Sequence, residues 1–264
     1  QTMRGTVKLT ALPTQALAEG IVEQGEIKQP QKLAESIQKL LVKPQWGKFT
    51  TTYVGVALPE NKTFIKLIDI PPMPEAEMAQ AVKWESEHHI PTPIEETYWD
   101  FQVFPHLDGK VNSRLPVLLG IAPKPMVDIY TKTITEAGLM PIVMEIESAA
   151  ITRCLLPLSN NNEAVMIIDL GATRTGLIIC DKGVIQFTVS IPISGELITA
   201  TIASALKVSL LQAEQAKINN DLYSETKAGA LSETINTVMA NLINKVKEAL
   251  TFYREHFQIG RAHV

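Results

Sequence analysis

The chain has 264 residues and a mass of 29.1 kDa, which suits one large or two modest domains. Hydrophobic residues make up 45% and charged residues 20%, a balance that excludes wholesale disorder. Against 24 basic residues stand 28 acidic ones, a net charge of −4. That excludes the broad cationic surface on which nucleic-acid binding depends.

In chain order, Thr6–Thr10 reads as a strand close to the start. Pro30 opens an amphipathic helix over 30–42, with Leu33, Ile37, Leu40 and Leu41 on one face. Strands follow at Thr52–Leu58 and Thr63–Ile70, the second stopped by Pro71-Pro72. Pro74 opens a helix to about His89, with Glu75 and Glu77 in the first turn, where the helix dipole favours acids. Tyr98–Phe104 and Pro116–Ala122 are two more strands, split by the turn Leu107-Asp108-Gly109-Lys110. A helix over Lys124–Ala137 closes at Gly138, and the strand Pro141–Glu145 leads into a helix at 147–156. The polar stretch Pro157-Leu158-Ser159-Asn160-Asn161-Asn162 is the clearest boundary.

After it the pattern restarts with three apolar strands, Val165–Asp169, Thr175–Cys180 and Val184–Ser190, the last two joined by a hairpin turn at Asp181-Lys182-Gly183. Helices are expected at 196–207, 209–219 and 231–257, with Ser209 and Gln212 as a capping-box pair. Strands followed by helices, twice over, indicate two α/β lobes.

Cys154 and Cys180, the two cysteines, both lie in apolar runs and are expected to be small buried hydrophobes in a reducing cytosol. No run of about 18 apolar residues suits a membrane span, and the start of the chain carries no secretion signal. Both ends look cut. The last helical pattern runs to Phe257, and the sequence then changes character at Ile259-Gly260-Arg261-Ala262-His263-Val264. Those six residues are what one frame of a sequencing adapter encodes, so they are expected to be an artefact tail; the alternative is a genuine tail with Gly260 as a helix stop.

The segment that carries chemistry is Asp169-Leu170-Gly171-Ala172-Thr173-Arg174-Thr175, between two strands. Its glycine permits a tight turn, and successive amides in such a turn form an anion-binding concavity. Thr173 and Thr175 can add hydroxyl donors to a phosphate, and Asp169 can hold a hydrated Mg²⁺. An ordinary β-turn is the alternative. Ser194-Gly195-Glu196 ends a strand and starts a helix, where free amides would suit a nucleotide's sugar or phosphate. Glu214 and Lys217 stand three apart on one helical face, either as a solvated salt bridge or as a polar clamp around an adenosine.

Other features carry less. His88 and His89 point about 100° apart on a helix and cannot share a metal. Glu85 and Glu87 face different sides, so they are no catalytic dyad, although they can face a basic partner. Trp84 reads as a packed helix anchor before it reads as a binding residue. Trp46 follows the Lys43-Pro44 break and is expected to be half exposed. Lys245, Lys247 and Arg254 alternate with Glu248 and Glu255 on the solvated face of the last helix.

Taken together, the Asp-x-Gly-x-x-x-Thr hairpin, the Gly-Glu helix start and the Ala-Glu-x-x-Lys helix resemble the second lobe of the actin-like ATPase superfamily. Asp169, Gly171, Ala172, Thr173, Arg174 and Thr175 match its second phosphate loop, Gly195 and Glu196 its ribose-side turn, and Ala213, Glu214 and Lys217 its helix beside the base. Ser194 departs from the usual glycine pair, and its side chain is expected to narrow the nucleotide's approach. In the first half, Ile70-Pro71-Pro72-Met73-Pro74-Glu75 and the run from Ala81 through Trp84-Glu85-Ser86-Glu87 to Ile90-Pro91-Thr92-Pro93 resemble the PilM family of type IV pilus assembly proteins. His88-His89 departs from it, since an amide and an aromatic are usual there.

That resemblance implies an actin-like, ribonuclease H-like α/β fold of two lobes, related to FtsA, with a strand–helix–strand domain inserted in the first lobe. It divides the chain into a first-lobe core at 1–59, the insertion at 60–140, a return to the first lobe at 141–158, a second lobe at 163–258 and the tail at 259–264. The family's first phosphate loop and its adenosine loop would lie outside this sequence, so the fold is expected to be incomplete and binding of ATP and Mg²⁺ by this segment weak or absent. The implied role is a cytoplasmic hub held at the inner membrane through a partner. It would bind the cytoplasmic tail of the membrane protein PilN, with Trp84, Glu85, Glu87, Pro91 and Pro93 as candidate contacts and other pilus assembly proteins as further partners. ATP would act as a conformational ligand, with slow turnover at most and no catalytic residue assigned. The alternatives are an FtsA-like division scaffold and a phosphotransferase of the sugar-kinase type.

Overall fold

The computed structural model describes residues 9–87, 90, 92–104, 114–156, 163–219 and 229–257. The expected strand at Thr6–Thr10, the turn at 107–110, the boundary at 157–162, His88, His89, Pro91 and the 259–264 tail fall wholly or mainly outside them. The chain separates into two units, Gln1–Ile151 and Thr152–Val264.

The first unit begins with short strands β1 (Ala11–Leu12), β2 (Val22–Glu23) and β3 (Glu26–Ile27), then helix α1 (Pro30–Val42) and β4 (Trp46–Gly47). β2 and β3 form a small hairpin, and β1 pairs with β4, where Trp46 is 54% exposed. β5 (Tyr53–Leu58) pairs in parallel with β9 (Met140–Ile146). Between them lies a β–α–β–β segment: β6 (Phe64–Ile70), α2 (Glu75–Glu87), β7 (Thr97–Val103) and β8 (Leu115–Pro123), in the antiparallel order β6–β8–β7. One face of this sheet packs on α2 through Ile68, Ile70, Val82, Val117, Leu119 and Ile121. Each such side chain contributes roughly 1.5–3 kcal/mol by leaving water.

α3 (Lys124–Glu136) follows β8 and packs against α1 and β9. It ends as the sequence anticipates: Gly138 donates to Thr135 at 2.9 Å and Leu139 to Ile134 at 3.1 Å, a Schellman closure. α4 (Glu147–Leu155) runs across the division between the units.

The second unit carries β10 (Val165–Leu170), β11 (Thr175–Asp181) and β12 (Val184–Ile191) as an antiparallel sheet in chain order. The β11–β12 hairpin turns through Lys182 and Gly183, both at positive φ (52° and 77°), as a two-residue type I′ turn requires. Helices α5 (Gly195–Leu206), α6 (Leu210–Asn219) and α7 (Ala230–His256) follow. Leu177, Ile179 and Ile191 on the sheet, Ile198 and Ile202 on α5, and Val238, Leu242 and Tyr253 on α7 form the core. Ser209 and Gln212 cap α6 reciprocally: the Ser209 amide donates to Gln212 Oε1 at 3.0 Å and the Gln212 amide to Ser209 Oγ at 3.3 Å.

Cys180 is buried beside the Thr152 hydroxyl, and burial pushes its thiol up. Cys154, expected to be buried, is exposed: it sits in the last turn of α4 between Arg153 and Leu155, which are exposed too. On α7, Lys245 pairs with Glu248 at 2.7 Å on the exposed face, as the charge alternation suggested.

Candidate functional site

The turn between β10 and β11 is built from Gly171, Ala172, Thr173 and Arg174. The Gly171 amide donates to the Arg174 carbonyl at 3.0 Å. A Cβ on Gly171 would stand 2.9 Å from that same oxygen, so the close return of the backbone requires glycine here. In a simple tight turn the Gly171 carbonyl would take the Arg174 amide; here it takes the Gly195 amide at 3.0 Å. Ala172 in turn accepts from Glu196 at 2.9 Å. The amides of Ala172, Thr173 and Arg174 have no main-chain acceptor among the described residues. Ala172 and Thr173 are exposed, and Asp169, two residues before Gly171, is half-buried.

This geometry changes three sequence expectations. The amides of Gly195 and Glu196 are not free for a ligand, because the turn's own carbonyls take them. The Thr175 hydroxyl, expected to face a phosphate, is fully buried and donates to the Ile193 carbonyl at 2.6 Å. Ser194 does not narrow an approach, because it turns inward, 4% exposed, and caps α5 by accepting from the Leu197 amide at 3.2 Å. What remains for an anion is the Ala172–Arg174 amides and the Thr173 hydroxyl, a concavity of the kind that binds phosphate. The Arg174 side chain is engaged with the Ser190 hydroxyl.

Glu214 and Lys217 on α6 are neither a solvated pair nor an open clamp. The Lys217 ammonium donates to Glu214 Oε2 at 2.7 Å, to the Thr199 hydroxyl at 2.8 Å and to the Gly195 carbonyl at 3.1 Å. All three of its protons are thus used. The Thr199 hydroxyl lies 2.5 Å from Glu214 Oε2 and 2.9 Å from the Gly195 carbonyl. Hydrogen bonds from Lys217, then from Thr199, hold the Glu214 carboxyl below the usual carboxylate range. The network ties α6 to the first turn of α5, directly behind the turn.

In the first unit, Trp84 is 64% exposed on α2, Glu87 is exposed and Glu85 half-buried; Pro93 is exposed before a short 3₁₀ turn at Ile94–Glu96. None of these lines a cavity of about 300 Å³ that lies against the sheet face opposite α2. Tyr98, Asp100 and Gln102 of β7 and Leu118, Gly120 and Ala122 of β8 share that face by register, and Met144 and Ile146 of β9 form the other wall. Gly120 opens the floor. A Cβ there would meet Ile146 Cδ1 at 3.6 Å and the Asp100 carbonyl at 3.9 Å, both ordinary contacts. The sequence pattern did not reveal this cavity, yet one signal was present: a lone glycine inside the apolar strand Leu115–Pro123 marks a close approach or a missing side chain.

Among the described residues no group of three or more His, Cys, Asp or Glu side chains could hold a metal, and no single helix is long and apolar enough to cross a membrane.

Comparison with known proteins agrees with this architecture. A solved PilM-PilN type IV pilus biogenesis complex superposes with a TM-score of 0.77 and 26% identity, over 94% of this chain and 71% of that one. The cell division protein FtsA of Enterococcus hirae is 30% identical over 165 residues, 54% of this chain but 37% of that protein's length. The fold is accordingly the actin-like, two-lobed α/β fold. Residues 1–259 match the family model of the type IV pilus assembly protein PilM, and the chain belongs to that family.

Proposed function

We propose that this chain acts as a pilus-assembly hub that binds the cytoplasmic tail of a PilN-like membrane protein and uses ATP as a conformational ligand. The cavity at Gly120 carries the reading. It is apolar, open at one side, walled by two separate sheets, and of a size that accepts a few side chains of an extended peptide. The related solved complex pairs PilM with PilN, which supports the same partner here. Trp84, Glu85, Glu87 and Pro93 would then serve a second contact surface, for other assembly proteins. The hub would sit on the cytoplasmic side of the inner membrane, held there by its partner.

The turn at 169–175 fits a nucleotide's phosphates at reduced strength. The amides of Ala172 to Arg174 and the Thr173 hydroxyl would hold phosphate oxygens, and Asp169 would hold a hydrated Mg²⁺. Gly195, Glu196, Glu214 and Lys217 support the turn from behind. Bound ATP would supply differential binding energy that biases the chain's conformation. The insertion at 60–140, with the β9 wall beside it, and the lobe at 163–258 would divide the two tasks between them.

The test is calorimetric titration of the chain with a synthetic tail peptide of the neighbouring PilN-like protein, with and without ATP and Mg²⁺. Saturable binding that changes with nucleotide is expected. No binding in either state, together with ATP turnover on added small alcohols, overturns the hub and leaves a phosphotransferase.

A further inference from the structure

The β–α–β–β segment joins the rest of its unit at two crossings of the chain. The chain enters through residues 59–63, between β5 and β6, and leaves where Pro123 ends β8 and α3 begins at once. Both crossings adjoin the Gly120 cavity: Leu58 before the first, Ile65 after it and Val127 just past the second all line it. The cavity is walled by β7 and β8 of the segment on one side and by β9 on the other. Its width therefore depends on the angle held at these two crossings.

The β2–β3 hairpin touches both. Its two-residue turn has Gln24 and Gly25 at positive φ (47° and 79°), the type I′ form. Asn61 Nδ2, on the first crossing, donates to the Gln24 carbonyl at 2.9 Å. The Tyr130 hydroxyl, on α3 past the second, donates to the Gly25 carbonyl at 2.8 Å. The Lys62 ammonium donates to Glu26 Oε1 at 2.5 Å, and Lys28 holds the other oxygen. A Cβ on Gly25 would stand 2.6 Å from Pro59 Cβ, so the tip lies flush on the first crossing and only glycine permits it. The hairpin's base is fixed as well: the carbonyl of buried Ile21 accepts from the Lys28 and Gln29 amides at 2.9 and 3.2 Å, just before Pro30 opens α1.

We propose that the β2–β3 hairpin is a clasp that fixes the angle of the β–α–β–β segment against β5 and β9, and so sets the width of the Gly120 groove. Asn61, Lys62 and Tyr130 are then positioning residues. None of them lines the cavity, so each acts on an occupant only through the wall it holds. The clasp itself does not depend on what the groove binds; its effect on affinity rests on the tail-binding reading above. Loosening the clasp lets the segment sample other angles, and binding weakens by the fraction of time spent at the competent one.

The experiment compares the wild-type clasp with Asn61→Ala, Lys62→Met and Tyr130→Phe combined. Spin labels are carried by Lys39→Cys on α1 and Ala79→Cys on α2, both exposed positions, in a Cys154→Ser background; Cys180 is buried and takes no label. Pulsed distance measurement is expected to give one narrow distance with the wild-type clasp and a broadened or displaced distribution in the variant, narrowed again by the tail peptide. Calorimetry is expected to show tail-peptide affinity at least about fivefold lower in the variant, as for a competent state about one-fifth populated. Lys62→Arg in place of Lys62→Met keeps the pair with Glu26 and should recover part of both readouts. Circular dichroism checks folding, and Asn61→Ala alone, a change to one half-buried loop side chain, serves where the combined variant does not fold. A distribution as narrow in the variant as in wild type overturns the inference, whatever the peptide does. A broadened distribution with affinity within twofold of wild type also overturns it, since the clasp would not set the groove, while the tail-binding reading stands. Failure of the encoded peptide to bind the wild-type chain overturns that reading instead, and the distances alone then decide the clasp.

Discussion

The amide of Gly195 donates to the carbonyl of Gly171 at 3.0 Å, and the next amide, that of Glu196, donates to Ala172 at 2.9 Å. The turn after β10 and the first turn of α5 are therefore one hydrogen-bonded piece, although more than twenty residues separate them. Two of α5's orphan donors are satisfied by this contact, a third by Ser194. A ligand held by the turn's remaining amides would thus act on α5 through the main chain, with no side chain as intermediary.

The two threonines of the turn segment are expected to separate stability from ligand binding. Thr175→Val removes a fully buried hydroxyl that donates to Ile193 at 2.6 Å. It should cost about 1–3 kcal/mol, read as a lower urea midpoint at unchanged slope. Thr173→Ala alters an exposed residue and should leave the midpoint within about 0.5 kcal/mol. It should weaken nucleotide binding by about two- to tenfold, the worth of one hydrogen bond. The opposite pattern would show that Thr175, not Thr173, faces the phosphate.

Lys217 should matter to the fold in a way that Lys245 does not. Lys217, with a side chain 23% exposed, joins Glu214, Thr199 and the Gly195 carbonyl. Lys245 reaches Glu248 with both side chains more than half exposed. Lys217→Met is expected to lower stability by about 1–2 kcal/mol through lost hydrogen bonds to half-buried acceptors. Lys245→Met should stay within about 0.5 kcal/mol, since exposed ion pairs are screened. Equal losses in parallel chemical denaturations would mean that the Lys217 network is no more than a surface pair.

Much of this fold could be read from residue order, because the signals are local. Pro30 and the apolar spacing after it set α1; Lys182-Gly183 supplies the positive φ of its hairpin; Ser209 and Gln212 announce the start of α6. The site was less legible because its decisive contacts are long-range. Nothing near Gly195 indicates that its amide is already taken by Gly171. Thr175 looks like Thr173 in the sequence, and they differ only because strand pairing turns one hydroxyl inward. The cavity was hidden for a related reason. Tyr98, Asp100 and Gln102 alternate with Trp99, Phe101 and Val103 as any half-buried strand does, and only the β9 wall makes the polar side of that alternation a groove.

Acid titration gives a further check on the α5–α6 tie. Glu214 is held below its ordinary value of 4.5, first by Lys217 and then by Thr199. A depressed folded-state value means that the ionised carboxylate's contribution is complete above the ordinary value and is lost as pH falls through the depressed one. The stability difference between wild type and Glu214→Gln should therefore be flat from neutral pH down to about pH 5 and shrink below that. Urea unfolding at a series of pH values measures it. A difference that grows on acidification would reverse the sign and remove Glu214 from the network.

Gly120 offers the most selective block of the groove. The added Cβ of Gly120→Val meets Ile146 Cδ1 at 3.6 Å and the Asp100 carbonyl at 3.9 Å, and the backbone φ there is not positive. The substitution therefore needs no backbone shift, and a β-branched residue suits the middle strand of β6–β8–β7. Stability should be unchanged or raised, in contrast to Leu119→Ala on the opposite face, where loss of a core side chain should cost about 2–5 kcal/mol. Yet the valine methyls would occupy the cavity floor. Tail-peptide binding is expected to fall at least about tenfold in Gly120→Val, a cost on the order of 1.4 kcal/mol. Leu119→Ala, measured where it remains folded, should bind nearly as wild type. If Gly120→Val binds the peptide as well as wild type while keeping its fold, the tail does not enter this cavity, and the exposed face of α2 around Trp84 becomes the surface to test.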